Sequence, residues 1–210
     1  MSRREADEAI EKENVTINGA TATLGQRVEE GDEVKLSGNV LEPKEFEYLL
    51  LNKPINYVSS RKQQGDTPTI YSLIPEEFHH LKPAGRLDAD SHGLMLLTND
   101  GSFANEMTHP SSEKQKNYEV QLDKPLEDED VNRLADGVQL EDGTSKLLVE
   151  NGDPIKVMMH EGRNRQIRRT FEALGYTVTD LKRTALGPYD LEILGEKVYS
   201  TTDKRKSSEE

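Results

Sequence analysis

The stretch that most constrains this chain runs from Gly85 to Gly101. It reads Gly-Arg-Leu-Asp, Ala-Asp-Ser-His, Gly-Leu-Met-Leu-Leu and Thr-Asn-Asp-Gly in succession. The pattern is a short turn, an apolar strand and a polar turn. Side chains alternate across an extended backbone, so Arg86 and Asp88 point the same way. Glycines at 85, 93 and 101 permit tight bends and close approach by a second backbone. Taken alone, Arg86-Leu87-Asp88 is a surface turn with a weak ion pair. The length of the frame, and a second segment downstream, give it weight.

That second segment is Ile155-Lys-Val-Met-Met159-His-Glu-Gly-Arg163-Asn-Arg165-Gln-Ile-Arg168-Arg-Thr-Phe171. A strand is expected to Met159, a turn at Glu161-Gly162, and a helix to Leu174 stopped by Gly175. Within the helix Ile167, Phe171 and Leu174 share one side at three- and four-residue spacing. Basic residues gather at Arg163, Arg165, Arg168, Arg169, Lys182 and Arg183, with few acids among them. The whole chain carries a formal charge of −13, which by itself argues against a nucleic-acid partner. Net charge says little about a local site, however, and an acidic body with one basic segment can still bind a phosphate backbone there.

Composition closes other routes. Hydrophobic residues make up 33% of 210 residues, low but enough for a core at this length. Cysteine is absent, so neither disulfides nor thiolate-held metal can staple the fold. No apolar run approaches the roughly 18 residues that span a membrane. Met1-Ser-Arg-Arg-Glu5 has no apolar segment behind it and does not read as a signal peptide. The expectation is a cytoplasmic monomer with no membrane partner.

In chain order, residues 2–13 read as a helix with capping-box spacing between Ser2 and Glu5. Val15-Thr16-Ile17 is a short strand ending at Asn18-Gly19, a hairpin signal. Glu33–Leu36 is another strand. Residues 38–47 read as a linker broken by Gly38 and Pro43. Tyr48–Lys53 is a continuous apolar strand cut off by Pro54. Lys53 there either meets a phosphate or is an ordinary exposed lysine. Ile70–Ile74 is a short helix stopped by Pro75, and His79-His80 read as loop histidines without a third ligand. Lys116–Leu122 alternates as a half-buried strand with Tyr118, Val120 and Leu122 on one face. Val138–Leu140 and Leu147–Val149 are expected to pair around the turn Glu141-Asp142-Gly143. Tyr176–Val178 and Leu181–Arg183 continue the sheet, and Lys197–Tyr199 is a last edge strand.

Gly85–Gly101, together with Glu161-Gly-Arg-Asn-Arg-Gln-Ile-Arg-Arg169, resembles the signatures of the RsuA-type pseudouridine synthases, which modify ribosomal RNA. Ser2-Arg-Arg-Glu-Ala6, Val15-Thr-Ile-Asn-Gly19 and Gly31-Asp-Glu-Val34 resemble the S-four-type RNA-binding domain found ahead of many such catalytic domains. A helix that normally precedes the Ser-Arg-Arg segment is expected to be missing, so this module is truncated. Its cations, Arg3, Arg4, Lys12, Arg27 and Lys35, lie among many acids, and both an RNA contact and a lid or spacer role fit it.

The resemblance implies specific roles. Asp88 is the catalytic carboxylate, Tyr118 the aromatic that stacks on the target uracil, and Arg168 the basic residue paired with Asp88. Candidate RNA contacts are Arg86, Lys53, Arg163, Asn164, Arg165, Gln166, Arg169 and Arg183. Isomerising uridine to pseudouridine involves no redox change, so no cofactor and no metal are required. A carboxylate either attacks the anomeric carbon or removes a neighbouring sugar proton. The implied partner is ribosomal RNA, of the large subunit in preference to the small, or transfer RNA. Two other readings stand beside it: a non-catalytic RNA-binding or ribosome-associated protein, and a glycosidase-like enzyme on free nucleosides.

For fold class, short strands and few helices give α+β with a mixed, largely antiparallel catalytic sheet. The lack of regular βαβ repeats argues against a doubly wound fold. The resemblance implies the pseudouridine synthase fold plus a small N-terminal α/β module. Expected domains are residues 1–40 for that module, 41–47 for the linker, 48–201 for the catalytic domain and 202–210 for a disordered tail.

Overall fold

The computed structural model describes residues 3–42, 44–63 and 65–205. The chain divides into two compact units, Met1–Glu45 and Phe46–Glu210.

The first unit contains a helix α1 (Arg3–Glu11) and four short strands: β1 (Val15–Ile17), β2 (Ala20–Thr21), β3 (Val34–Leu36) and β4 (Asn39–Val40). They form a sheet in the order β2-β1-β3-β4. The Asn18-Gly19 turn closes the β1–β2 hairpin with φ of 52° and 83° at its two residues. Both values are positive, as a tight hairpin turn of the primed type requires. Asn18 also ties in β3: its Oδ1 accepts from the Glu33 amide at 2.9 Å and its Nδ2 donates to Asp32 at 2.8 Å. Asn39 and Val40, read from sequence as the start of a linker, pair with Leu36 and Lys35. Ser2, the expected cap of α1, lies outside the described residues.

The second unit follows in chain order with β5 (Tyr48–Lys53), β6 (Lys82–Ala84), β7 (His92–Thr98), α2 (Gly101–Thr108), β8 (Lys116–Leu122), α3 (Asp128–Asp136) and β9 (Val138–Leu140). Then come β10 (Gly143–Ser145), β11 (Leu148–Glu150), β12 (Ile155–Met159), α4 (Gln166–Ala173), β13 (Val178–Leu186), β14 (Tyr189–Asp190) and β15 (Tyr199–Thr202). Among the described residues, nine strands make the main sheet, in the order β11-β12-β8-β13-β7-β5-β15, with β14 on β13 and β6 on β7. Every pairing in it is antiparallel except β13 with β7. The fold is therefore α+β with a mixed sheet, as expected. No helix among the described residues is long and apolar enough to cross a membrane.

The apolar runs of β5 and β7 are explained by cover on both faces. Leu49, Leu51, Met95 and Leu97 enter one core, with Ile167 and Phe171 of α4. Tyr48, Leu50, Leu94 and Leu96 enter a second core, with Phe103 and Met107 of α2. The Asp100 carboxylate starts α2 by accepting the amides of Ser102 and Phe103 at 3.1 and 3.0 Å. Burial opposes its charge, but hydrogen bonds from Ser102, Phe103, Lys204 and Tyr48 hold this carboxyl well below the usual range.

The parallel junction is short: Lys182 opposite His92 and Arg183 opposite Gly93. Gly93 has φ of +102°, and a Cβ there would lie 2.3 Å from the Arg183 carbonyl oxygen. Only glycine permits that approach, which sets Arg183 beside the loop between β6 and β7.

Two expectations are corrected. The strand after Val138–Leu140 is β10, which closes the hairpin around Asp142, whereas β11 joins the sheet edge on β12. Leu147 is fully buried between them, so the chain dives through the core instead of continuing the hairpin. Residues 202–204, expected within a disordered tail, are held in place. Thr202 pairs with Tyr48, the Asp203 carbonyl accepts from the Tyr189 hydroxyl at 3.0 Å, and Lys204 meets buried Asp100 at 3.2 Å. Residues 206–210 lie outside the described residues.

Candidate active site

The loop between β6 and β7 carries Asp88. Ser59 clamps this loop: its hydroxyl donates to the Leu87 carbonyl at 2.7 Å and accepts the Leu87 amide at 3.2 Å. Leu87 is buried, so Asp88 turns back toward a cleft of about 260 Å³. The cleft is lined by Asp88 and Arg86 from the loop, Lys116 and Tyr118 from β8, Arg163, Asn164, Arg165 and Gln166 ahead of and at the start of α4, and Arg183 from β13. Its lining thus holds five cations, Arg86, Lys116, Arg163, Arg165 and Arg183, against the single carboxylate of Asp88. In a chain of charge −13 that is a local reversal of sign.

The expected pairing of Asp88 with Arg168 is not what the structure contains. The arginine that reaches Asp88 is Arg165, through Nη1 at 3.5 Å. Arg165 is held more tightly by Asp90, at 3.1 and 2.9 Å. Arg168 lies behind the loop: it donates to the Val178 carbonyl at 2.9 Å, the Asp90 carbonyl at 2.8 Å and Ser91 Oγ at 3.3 Å. One helical turn separates residues three apart by little, so spacing alone does not say which arginine meets Asp88. Arg165 caps α4 in the left-handed region at φ 48°, and its side chain reaches Asp88 and Asp90.

Arg183 is the cation that sequence reading placed among the RNA contacts and that the structure buries. It is 3% exposed; Nε donates to the Leu94 carbonyl at 2.7 Å, and Nη2 has no hydrogen-bond partner among the described residues. A buried, unpartnered guanidinium nitrogen on a cleft wall is costly unless a ligand supplies the acceptor.

Several expected RNA contacts are occupied within the chain. Lys53 is fully buried, and its Nζ donates to the carbonyls of Ser91 at 2.6 Å and Pro54 at 3.0 Å. Burial pushes its pKa down to about 8, against the pull of Asp90 and Asp88. It is a brace under the loop and not a surface phosphate contact. Gln166 is buried and binds Ser145 Oγ at 3.0 Å and the Arg163 amide at 3.1 Å. Arg163 and Arg169 both grip Asp142 at the tip of the β9–β10 hairpin, at 2.9 and 2.8 Å. The Arg169 hydrogen bond outweighs burial and holds the Asp142 carboxyl below its ordinary range. Asn164 and Arg86 are exposed on the cleft, and among the described residues no carboxylate pairs with Arg86.

Sequence reading missed two residues. Lys116 shares a strand face with Tyr118, two residues on, which was the available signal. It is buried, it donates to the carbonyls of Lys114 and His160 at 3.1 Å each, and burial with Arg183 nearby lowers its pKa. Asp90 stands to Asp88 as Asp88 stands to Arg86. Tyr118 itself is 8% exposed, with its ring shared between core and cleft.

Residues 47–173 match the family RNA pseudouridylate synthase, and residues 2–34 match the S4 domain. A protein of Aquifex aeolicus named as an uncharacterized RNA pseudouridine synthase is 38% identical over 193 residues, 89% of this chain and 81% of that one. The dual-specificity RNA pseudouridine synthase RluF of an Escherichia coli strain is 41% identical over 194 residues, and the chain spans 65% of its length. The ribosomal large subunit pseudouridine synthase B of Bacillus subtilis is 38% identical over 192 residues, 87% of this chain and 79% of that one. A crystal structure of a pseudouridylate synthase superposes with a TM-score of 0.71 at 32% identity, covering 97% of this chain and 91% of that one.

Proposed function

Because the chain belongs to the RNA pseudouridylate synthase family, we propose that it converts a specific uridine of ribosomal RNA, in the large subunit, to pseudouridine. The observation that carries the reading is the cleft: one carboxylate, Asp88, facing an aromatic ring, Tyr118, within a wall of cations. Relatives named for RluF and for the large ribosomal subunit support the choice of RNA.

The reaction breaks the bond from the anomeric carbon to a ring nitrogen. The base turns in place and rejoins through a ring carbon, which sheds its proton as the nitrogen gains one. Oxidation states do not change. In this assignment Asp88 either attacks the anomeric carbon or takes the adjacent sugar proton. The target nucleotide must leave its stack, at a cost of a few kcal/mol. Tyr118 offers the flipped base a replacement stack worth about 1–3 kcal/mol and keeps detached uracil from escaping. Arg86 fills the vacated space or meets a phosphate beside it. Arg183, in place of Arg168, is the buried cation in the cleft wall available to a substrate oxygen, because its Nη2 has no hydrogen-bond partner among the described residues. Arg165 and Asn164 flank the entrance.

Chemical mapping of pseudouridine in total RNA from cells with and without the protein tests this reading. Loss of signal at one or a few large-subunit positions is expected. An unchanged ribosomal RNA map would refute the assignment of substrate, and a lost signal confined to transfer RNA would redirect it.

A further inference from the structure

Asp90 stands two residues beyond Asp88, and the two carboxylates face one guanidinium. Arg165 reaches Asp90 with two nitrogens, at 3.1 and 2.9 Å, but reaches Asp88 with one, at 3.5 Å. We propose that Asp90 is a positioning residue that detains the Arg165 guanidinium and so leaves the Asp88 carboxylate open to substrate. The inference rests on Asp88 being the catalytic carboxylate.

A guanidinium fork engages a carboxylate bidentately in one geometry, so Arg165 cannot serve both acids equally. The structure fixes the choice from both sides. Arg168 holds the Asp90 carbonyl at 2.8 Å and lies 3.4 Å from its Oδ2 through Nε. Lys53 holds the next carbonyl, that of Ser91, at 2.6 Å. On the other side, Arg165 sits in the left-handed region at φ 48°. That conformation is unfavourable in a residue other than glycine, and the side chain lines the cleft. The hydrogen bonds and charges of Arg165 and Arg168 overcome burial to keep Asp90 ionised and therefore able to compete.

Without Asp90, the carboxylate that Arg165 already touches is Asp88, with Glu172 the further acid in its field. A close ion pair there covers the carboxylate oxygens and stabilises their charge, which weakens Asp88 as nucleophile or base. Asp88 also shares the cleft with Arg86, Lys116, Tyr118 and Arg183, and Lys53 lies beneath the loop. None of these changes in the Asp90 and Arg165 variants, so a changed rate there reports on the Asp90–Arg165 pair.

The test is steady-state kinetics over a range of ribosomal RNA concentrations for the parent, Asp90→Asn, Arg165→Gln, the double variant and Asp88→Asn. Asp90→Asn is expected to slow turnover by roughly tenfold to a hundredfold, as expected for a misplaced reacting group. KM should stay within a few-fold of the parent value. Adding Arg165→Gln is expected to return the rate to that of Arg165→Gln alone. A parental rate in Asp90→Asn, or a double variant no faster than Asp90→Asn, overturns the proposal. The Asp90 side chain is 48% exposed, so its loss should leave the fold intact; should Asp90→Asn melt early, Asp90→Ser repeats the comparison. An active Asp88→Asn enzyme would instead refute the catalytic assignment beneath it. An inactive Asp88→Asn beside a normal Asp90→Asn refutes the detention of Arg165 alone.

Discussion

The arginines ahead of and along α4 and the two cations on the strands behind it make an instructive contrast. Every arginine from Arg163 to Arg169 has a carboxylate of this chain within reach: Asp142 for Arg163 and Arg169, Asp90 for Arg165 and Arg168. Arg183 and Lys116 have none among the described residues, although they are more deeply buried. A run of arginines in the sequence looks like a phosphate-binding face, yet most of that charge is spent on holding the hairpin and the Asp88 loop to the helix. The two buried strand cations carry the field that a bound nucleotide would feel, since burial strengthens electrostatics and excludes competing water.

The sharpest way to break this contrast is Arg183→Gln set beside Arg168→Gln. Removing Arg183, which has no carboxylate partner among the described residues, is expected to lower kcat by about 100-fold or more, the scale of losing a preorganised charge in a catalytic site. Arg168→Gln should act chiefly through stability, measured by urea unfolding, with a smaller loss of rate. Equal effects on kcat would erase the distinction between the two sets.

Next is the junction that places Arg183. Gly93→Ala puts a Cβ against the Arg183 backbone, where it would lie 2.3 Å from the carbonyl oxygen. The expected destabilisation is about 2–3 kcal/mol, the range of an overpacked core site, read from the shift of the urea midpoint. An unshifted midpoint would mean that β13 does not need this approach.

A smaller effect separates exposed from paired arginines. Asp142→Ala should release the β9–β10 hairpin, lowering the urea midpoint, and should leave the salt dependence of RNA binding nearly unchanged. Arg86→Ala should reduce the slope of log K against log salt by about one, as the loss of one phosphate contact does. Filter binding across a salt series measures both, and reversed outcomes would return Arg163 and Arg169 to the RNA-facing set.

The smallest is a pH slope. Lys53 has a folded pKa of about 8, while an unfolded lysine titrates near 10.4. The unfolded chain therefore binds more protons between these values, and stability from this group rises with pH through that window. Below pH 8 both states are protonated, and the burial penalty is fully present. Relative to Lys53→Met, the parent should gain under about 1 kcal/mol across the pH unit centred on 8; parallel curves would contradict the buried, depressed lysine.

Legibility in the sequence divided along the same line. The apolar runs at Leu49–Leu51 and Leu94–Leu97, the Asn18-Gly19 hairpin and the fold class were readable because periodicity and turn chemistry act locally. The cleft residues Asp88 and Tyr118 were readable through their extended frames. The partner of Asp88 was not. Choosing Arg165 over Arg168 depends on one left-handed residue at the start of α4 and on Asp90 drawing the side chain forward. Lys53 was misread as surface because a lysine at the end of an apolar strand gives no sign of the Ser91 carbonyl waiting beneath the next loop. The ordering of Thr202–Lys204 likewise rests on buried Asp100, about a hundred residues away.

The account stands or falls on the Asp88 carboxylate in its cation-lined cleft. The direct measurement is pseudouridine formed in ribosomal RNA by purified parent and Asp88→Asn proteins, mapped by chemical labelling alongside RNA affinity. The account predicts product at discrete positions with the parent and none with Asp88→Asn, at affinities within a few-fold of each other. Normal turnover by Asp88→Asn would contradict it.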